Sequence, residues 1–201
     1  MESVVILAGG KGTRLGTEST PKALLNVNGQ TLLDFQLAWA RREGFKRVFV
    51  VIGHKKECFE NLDLGDDVFF IKEEVCTGTA AAVKLASRQF SSGETFWVCN
   101  VDDLTDINVG STFAEYVEDF MPVVKPLPYS IVFEGRFSPQ ETSYQHIGHT
   151  VMTVDFARAL PDYGSYESCL AGKNLTFHIH KGLWVTVNDG VQLELARRML
   201  C

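Results

Sequence analysis

The chain has 201 residues, 45% hydrophobic and 22% charged, with a formal net charge of −6. That length holds one domain with a substantial core, and the acidic balance argues against a general nucleic-acid binder, whose phosphate affinity needs a basic face. No run reaches membrane-spanning length, and the opening MESVVILAGG lacks the basic flank of an export signal. The five cysteines are scattered without a C-x-x-C, which suits free thiols, so the expectation is a cytoplasmic protein.

A strand is expected at Ser3–Ala8, then a glycine-rich loop, then a helix over Thr31–Glu43 with Thr31 and Asp34 as its N-cap pair and Gly44 as its stop. A strand at Arg47–Ile52, a helix at Lys55–Leu62, a strand at Val68–Lys72, a helix at Ala80–Gln89 and a strand at Thr95–Cys99 follow. Apolar strands alternating with helices predict an α/β fold, a doubly wound, mostly parallel sheet in a single domain. The second half is less regular. Strands are expected at Tyr129–Phe137 and His146–Val154, a short helix at Asp155–Leu160, a strand pair turning at Gly182 within Leu175–Val187, and a closing helix at Val191–Leu200. Pro122, Pro126 and Pro128 crowd the junction between a first part, 1–110, and a second, 111–201.

The loop after the first strand reads LAGGKGTRLGTESTPK, Leu7 to Lys22. Open parallel sheets bind ligands beyond the carboxyl ends of their strands, where glycines let backbone N–H groups approach phosphate and Lys and Arg add charge. Two familiar phosphate loops are excluded: the loop lysine precedes the last glycine instead of directly following it, and Gly10, Gly12 and Gly16 give G-x-G-x-x-x-G, not G-x-G-x-x-G. Lys11 is a further cation near the loop, equally suited to solvent.

The string A-G-G-x-G-T-R-L followed by P-K closely resembles the signature of the sugar-phosphate nucleotidyltransferases. Those enzymes join a nucleoside triphosphate to a sugar 1-phosphate and release pyrophosphate. The resemblance implies a nucleotide-diphospho-sugar transferase architecture, with 1–110 binding nucleotide and 111–201 binding sugar and completing a Mg²⁺ site. By that resemblance Leu7, Ala8, Gly9, Gly10, Gly12 and Thr13 wrap the nucleotide, Arg14 neutralises the departing pyrophosphate, and Lys22 reaches the α-phosphate. These roles also make physical sense, because phosphoryl transfer needs charge stabilisation and alignment more than covalent help.

Three later segments extend the likeness. CTGTAAAVKLA resembles the family's L-G-T-A-G-A, with Gly78 and Thr79 against the base, although a plain helix start explains the same letters. FWVCNVDDLTD resembles N-G-D-x-x-x-D, with Val101 at the usual glycine and Asp102 as Mg²⁺ ligand and catalytic carboxylate. LWVTVNDGVQL places Thr186 where many members carry an aspartate, and V-N-D resembles the N-acetylglucosamine-1-phosphate uridylyltransferase branch, which implies Asn188 as second ligand with Asp189 in reserve. The alternative is that Asn188 caps the final helix.

On the sugar side the likeness suggests Gly148, Glu167 and, in place of an absent E-K-P lysine, Arg136. His146, His149, His178 and His180 suit strands lining a polar pocket better than a metal cluster, Cys99 suits the core, and Phe35, Trp39, Phe45 and Phe49 suit packing. The implied partners are a nucleoside triphosphate and a sugar 1-phosphate, with no nucleic acid and no membrane. Two other readings stay open: a cytidylyltransferase for a non-sugar phosphorylated acceptor, and a nucleotide-binding module without catalysis. Base, acceptor and oligomeric state are not legible.

Overall fold

The computed structural model of the chain describes residues 1–16, 19–114, 116, 119–126, 144–170 and 176–200. β1 (Ser3–Leu7) is buried at every position and runs into the glycine loop, which forms a short 3-10 turn at Thr13–Leu15. A small hairpin, β2 (Asn26–Val27) and β3 (Gln30–Thr31), leads into α1 (Leu32–Arg42). Thr31 and Asp34 form a full capping box there: each side chain accepts from the other's backbone N–H.

β4 (Arg47–Ile52), β5 (Val68–Lys72), α2 (Thr79–Ala86), β6 (Thr95–Asn100), β7 (Asp103–Thr105) and α3 (Val109–Ala114) follow. The helix expected at Lys55–Leu62 is only a 3-10 turn, Lys56–Phe59. Lys55 takes a left-handed conformation at φ 54°, which blocks a regular helix start.

In the second half come β8 (Phe120–Pro126), β9 (Tyr144–Thr153), α4 (Val154–Arg158), β10 (His178–Ile179), β11 (Trp184–Thr186) and α5 (Gly190–Met199). Pro122 and Pro126 lie within strand β8, whose register shifts between Pro122 and Val124. The strand expected at Tyr129–Phe137 falls outside the described residues. The pair expected around Gly182 is not a hairpin: β10 joins the large sheet beside β8, whereas β11 pairs antiparallel with β7.

The large sheet has the order β10-β8-β9-β6-β1-β4-β5. β6, β1, β4 and β5 are parallel, and β9 runs antiparallel to both β6 and β8. It is an α/β sheet with an apolar core on each face. One core gathers Leu33, Leu37, Trp39, Phe45 and Trp97 under α1, and the other gathers Phe49, Val83, Phe90 and Phe96 under α2. Cys99 is fully buried, and the four described cysteines are unpaired. No helix among the described residues is long and apolar enough to cross a membrane.

His149 does not line a polar pocket. Its ring is fully buried and stands edge-on to Trp39, centroids 5.0 Å apart. Trp97 Nε1 donates to His149 Nδ1 at 3.0 Å, which leaves Nε2–H to donate to the Asp103 carbonyl at 3.1 Å. That pairing fixes one neutral tautomer. Among the described residues no three His, Cys, Asp or Glu side chains gather as a metal group.

Burial pushes the His149 imidazole down to about 3 from an ordinary 6.5. Below about pH 6.5 the unfolded chain protonates this ring while the folded chain does not, so stability falls as pH drops towards 3. The expected slope from this group is about 1.4 kcal/mol per pH unit. Urea denaturation across that range should show it, and the His149→Gln variant should lose that part of the slope.

Candidate active site

β1, β4 and β6 end on one rim of the sheet, and a cavity of about 460 Å³ opens there. The glycine loop forms one wall. Gly12 sits at φ +63°, and a Cβ there would stand 3.2 Å from Lys22 Cβ, so glycine lets the loop fold over that lysine. Gly10 has no heavy atom within 4 Å of where a Cβ would be, so its backbone faces open space. Leu7, Gly9, Thr13 and the exposed Lys11 complete this wall, and Ala8 is buried behind it with its N–H on the Val51 carbonyl.

The opposite wall follows β6. Val101 N–H donates to the Leu7 carbonyl, and Val187 N–H donates to the Asp102 carbonyl at 2.9 Å. The second bond ties the segment after β11 to the segment after β6 and sets Asn188 beside Asp102. Lys22 Nζ forms an ion pair with Asp102 and donates to Asn188 Oδ1 at 3.0 Å. Arg14 donates to the same amide oxygen at 3.3 Å. Arg14, Lys22, Asp102 and Asn188, from four separate stretches of sequence, therefore meet at one place.

Local bonds orient Asn188. Its Nδ2 donates to Thr186 Oγ1 at 2.8 Å, which turns Oδ1 towards the two cations. Capping of α5 falls to Asp189, whose side chain accepts from Gln192 N–H at 2.9 Å. Asn188 is thus free of the helix cap, and Asp189 is committed to it. Burial, then the adjacent Asp103 carboxylate, pushes the Asp102 carboxyl above its ordinary range, while Lys22 opposes the shift. Asp102 and Asn188 offer two hard oxygens facing the phosphate-type loop. That donor set fits Mg²⁺, which keeps several waters and takes the rest of its shell from phosphate.

A third wall is the start of α2. Gly78 and Thr79 line the cavity, and a Cβ on Gly78 would collide with the Gly164 carbonyl. The Thr79 hydroxyl accepts from Tyr166 N–H at 3.2 Å and donates to Glu167 at 3.4 Å. Glu167 also accepts from Ser165 and stands 3.7 Å from His146 Nδ1. Gly148, at φ +72°, lies against the Asp103 carboxylate, which a Cβ would strike. Neither Glu167 nor Gly148 lines this cavity, and Arg136 is outside the described residues.

Sequence reasoning missed Glu73. It is 7% exposed and lines the cavity one residue beyond β5. The signal was alternation: Ile71 is buried, Lys72 exposed, Glu73 buried and Glu74 exposed. Cys76 lines the cavity beside it, and burial followed by the Glu73 charge pushes its thiol up.

The profile of the MobA-like NTP transferase domain matches residues 4–106, more than half of the chain. The chain belongs to this family. Among curated relatives, the choline-phosphate cytidylyltransferase of Streptococcus pneumoniae is 42% identical over 60 residues, 29% of this chain and 26% of that protein. The bifunctional protein GlmU of Nitratidesulfovibrio vulgaris is 25% identical over 200 residues, 96% of this chain and 40% of that protein. The chain therefore spans less than half the length of these relatives. Among solved structures, HddC from Yersinia pseudotuberculosis superposes with a TM-score of 0.81 over 100% of both chains at 20% identity. A UDP-glucose pyrophosphorylase complexed with UDP-glucose gives 0.81 at 16% identity, over 100% of this chain and 98% of that one. These likenesses establish the nucleotide-diphospho-sugar transferase fold.

The division between Asn188 and Asp189 has a measurable consequence. Asp189→Ala should lower stability by about 1 kcal/mol through loss of the α5 cap. Asn188→Ala, at a cavity wall, should cost clearly less in the same urea titration.

Proposed function

We propose that this nucleotidyltransferase moves an NMP group from a nucleoside triphosphate to a sugar 1-phosphate, giving an NDP-sugar and pyrophosphate. The observation that carries the reading is the meeting of Arg14, Lys22, Asp102 and Asn188 at a cavity walled by the glycine loop. A phosphate oxygen of the acceptor is already anionic, so no side-chain base is needed. It forms a bond to the α-phosphorus while the bond to the β-phosphate oxygen breaks, and the electron pair leaves with pyrophosphate. Lys22 and Arg14 balance charge that builds on the α-phosphate and the leaving group, and they hold the reacting atoms in line. The glycine backbone orients the triphosphate. Asp102 and Asn188 would hold Mg²⁺, which supplies Lewis-acid charge to the phosphates.

Lys22 lies between Asp102 and Asn188, which hold its positive charge at the cavity wall. The intact set of Arg14, Lys22 and Asp102 also argues against a module that only binds. One further reading draws on a specific relative: the 42% identity to a choline-phosphate cytidylyltransferase supports a non-sugar phosphorylated acceptor as the alternative.

Pyrophosphate release from each of the four ribonucleoside triphosphates and dTTP, with Mg²⁺ and a panel of sugar 1-phosphates and phosphorylated alcohols, tests this. Acceptor-dependent release is expected with a sugar 1-phosphate, and Arg14→Ala and Lys22→Ala should each lower the rate about 10²- to 10³-fold. Turnover confined to phosphorylated alcohols would select the alternative. Nucleotide binding without release under any acceptor would overturn the transferase reading.

A further inference from the structure

Glu73 is largely buried, and its carboxylate edge opens onto the cavity. Among the described residues no hydrogen bond or ion pair reaches its side chain, although it is only 7% exposed. Burial pushes its carboxyl above the ordinary range. The backbone makes room for it: a Cβ on Gly9 would lie 2.5 Å from Glu73 Oε2, and one on Gly53 would lie 3.2 Å from the same atom. Two glycines from two strand ends thus leave a slot that the carboxylate fills. The slot opens into the cavity that Arg14, Lys22, Asp102 and Asn188 also line.

Position narrows the ligand group. Glu73 follows β5 and Asp102 follows β6, and the order β6-β1-β4-β5 puts three inter-strand steps between those elements. At about 4.8 Å per step, the two strand ends stand roughly 14 Å apart. On the nucleotidyltransferase reading, phosphates held at the cationic end leave the base at the other end of the cavity, on the Glu73 side. A carboxylate there can only accept hydrogen bonds when ionised, and it accepts best from two adjacent N–H donors. The Watson–Crick edge of guanine presents such a pair, N1–H and the 2-amino group. Uracil and thymine offer one N–H flanked by two carbonyls, and cytosine and adenine set an amino group beside a lone pair. Each of these would bring an acceptor against an oxygen of Glu73.

Resting on the nucleotidyltransferase reading, we propose that Glu73 is the base-reading residue and that its carboxylate selects a guanine nucleotide. The test is equilibrium binding of GTP, ITP, ATP, UTP, CTP and dTTP to the intact chain with Mg²⁺. GTP should bind at least about tenfold more tightly than any other, including ITP, which lacks only the 2-amino donor. Glu73→Gln should erase most of the GTP-over-ITP difference, since an amide presents one donor where the carboxylate presented an acceptor. The ITP comparison uses the unaltered protein, so it decides the matter even if the variant folds poorly. Equal binding of GTP and ITP, or preference for another base, would overturn the assignment and leave the transferase reading standing. Tight GTP binding with no pyrophosphate from any acceptor would support Glu73 as base reader while overturning the transfer reaction. Failure to bind any nucleotide would overturn both.

Discussion

Much of the site hangs on one backbone hydrogen bond, Val187 N–H to the Asp102 carbonyl. It joins the strand at the centre of the nucleotide-type sheet to a segment 85 positions later in the chain, next to the short ladder between β7 and β11. Together with that ladder, the tie sets Asn188 against Asp102 and Lys22. With it, a carboxylate, an amide oxygen and two cations share a few ångströms at the cavity wall. A site of this kind works by placing charge in advance, so that little reorganises when a triphosphate enters.

Asp102 and Asp103 are adjacent, and their fates are opposite. Asp102 faces the cavity and Lys22. Asp103 points into the protein, where its carboxylate accepts from Asn100 Nδ2 and Trp184 Nε1, each at 3.0 Å, and its carbonyl accepts from Gln36 and His149. Both carboxylate oxygens of Asp103 and its carbonyl are thus bonded, which makes this support stiff. The rigidity matters for function because Asp103 cannot move without disturbing Asp102. Gly148 belongs to the same support, since its missing side chain is the space the Asp103 carboxylate occupies.

The parts of the fold that the sequence displayed best were those governed by local rules. The Thr31–Asp34 capping box, the buried parallel strands and the Leu7–Lys22 loop depend on residues a few positions apart, and each formed close to its expected bounds. The helix expected at Lys55–Leu62 failed because propensity and periodicity do not register one left-handed residue at its start. The hairpin expected around Gly182 failed for another reason: two short strands were assigned to each other when each had a better partner far away in sequence. The pairing of β11 with β7 is a tertiary choice, sealed by Trp184 on Asp103. Asn188 lay between these cases. Its letters fit a helix cap or a ligand equally well, and the observed bond from Gln192 N–H to Asp189 removes the cap reading.

Glu73 was the least legible, and comparing the acid pairs shows why it carries information. The chain carries two adjacent acid pairs near strand ends, Glu73-Glu74 and Asp102-Asp103. In the fold the members of each pair part: Asp102 faces the cavity and Asp103 the interior, while Glu73 faces the cavity and Glu74 the solvent. Glu74 is solvent-facing and pairs with Lys56 at 2.9 Å, an ordinary surface contact. Asp103 is inward and surrounded by donors, which is how a structural carboxylate is stabilised. Glu73 is also inward, yet among the described residues no donor reaches its carboxylate, and Gly9 and Gly53 leave room for it beside the cavity. A carboxylate kept for packing alone would be replaceable by a glutamine or a leucine at lower cost in desolvation. What reaches the Glu73 carboxylate therefore comes from the cavity, as water or as a ligand group that donates hydrogen bonds.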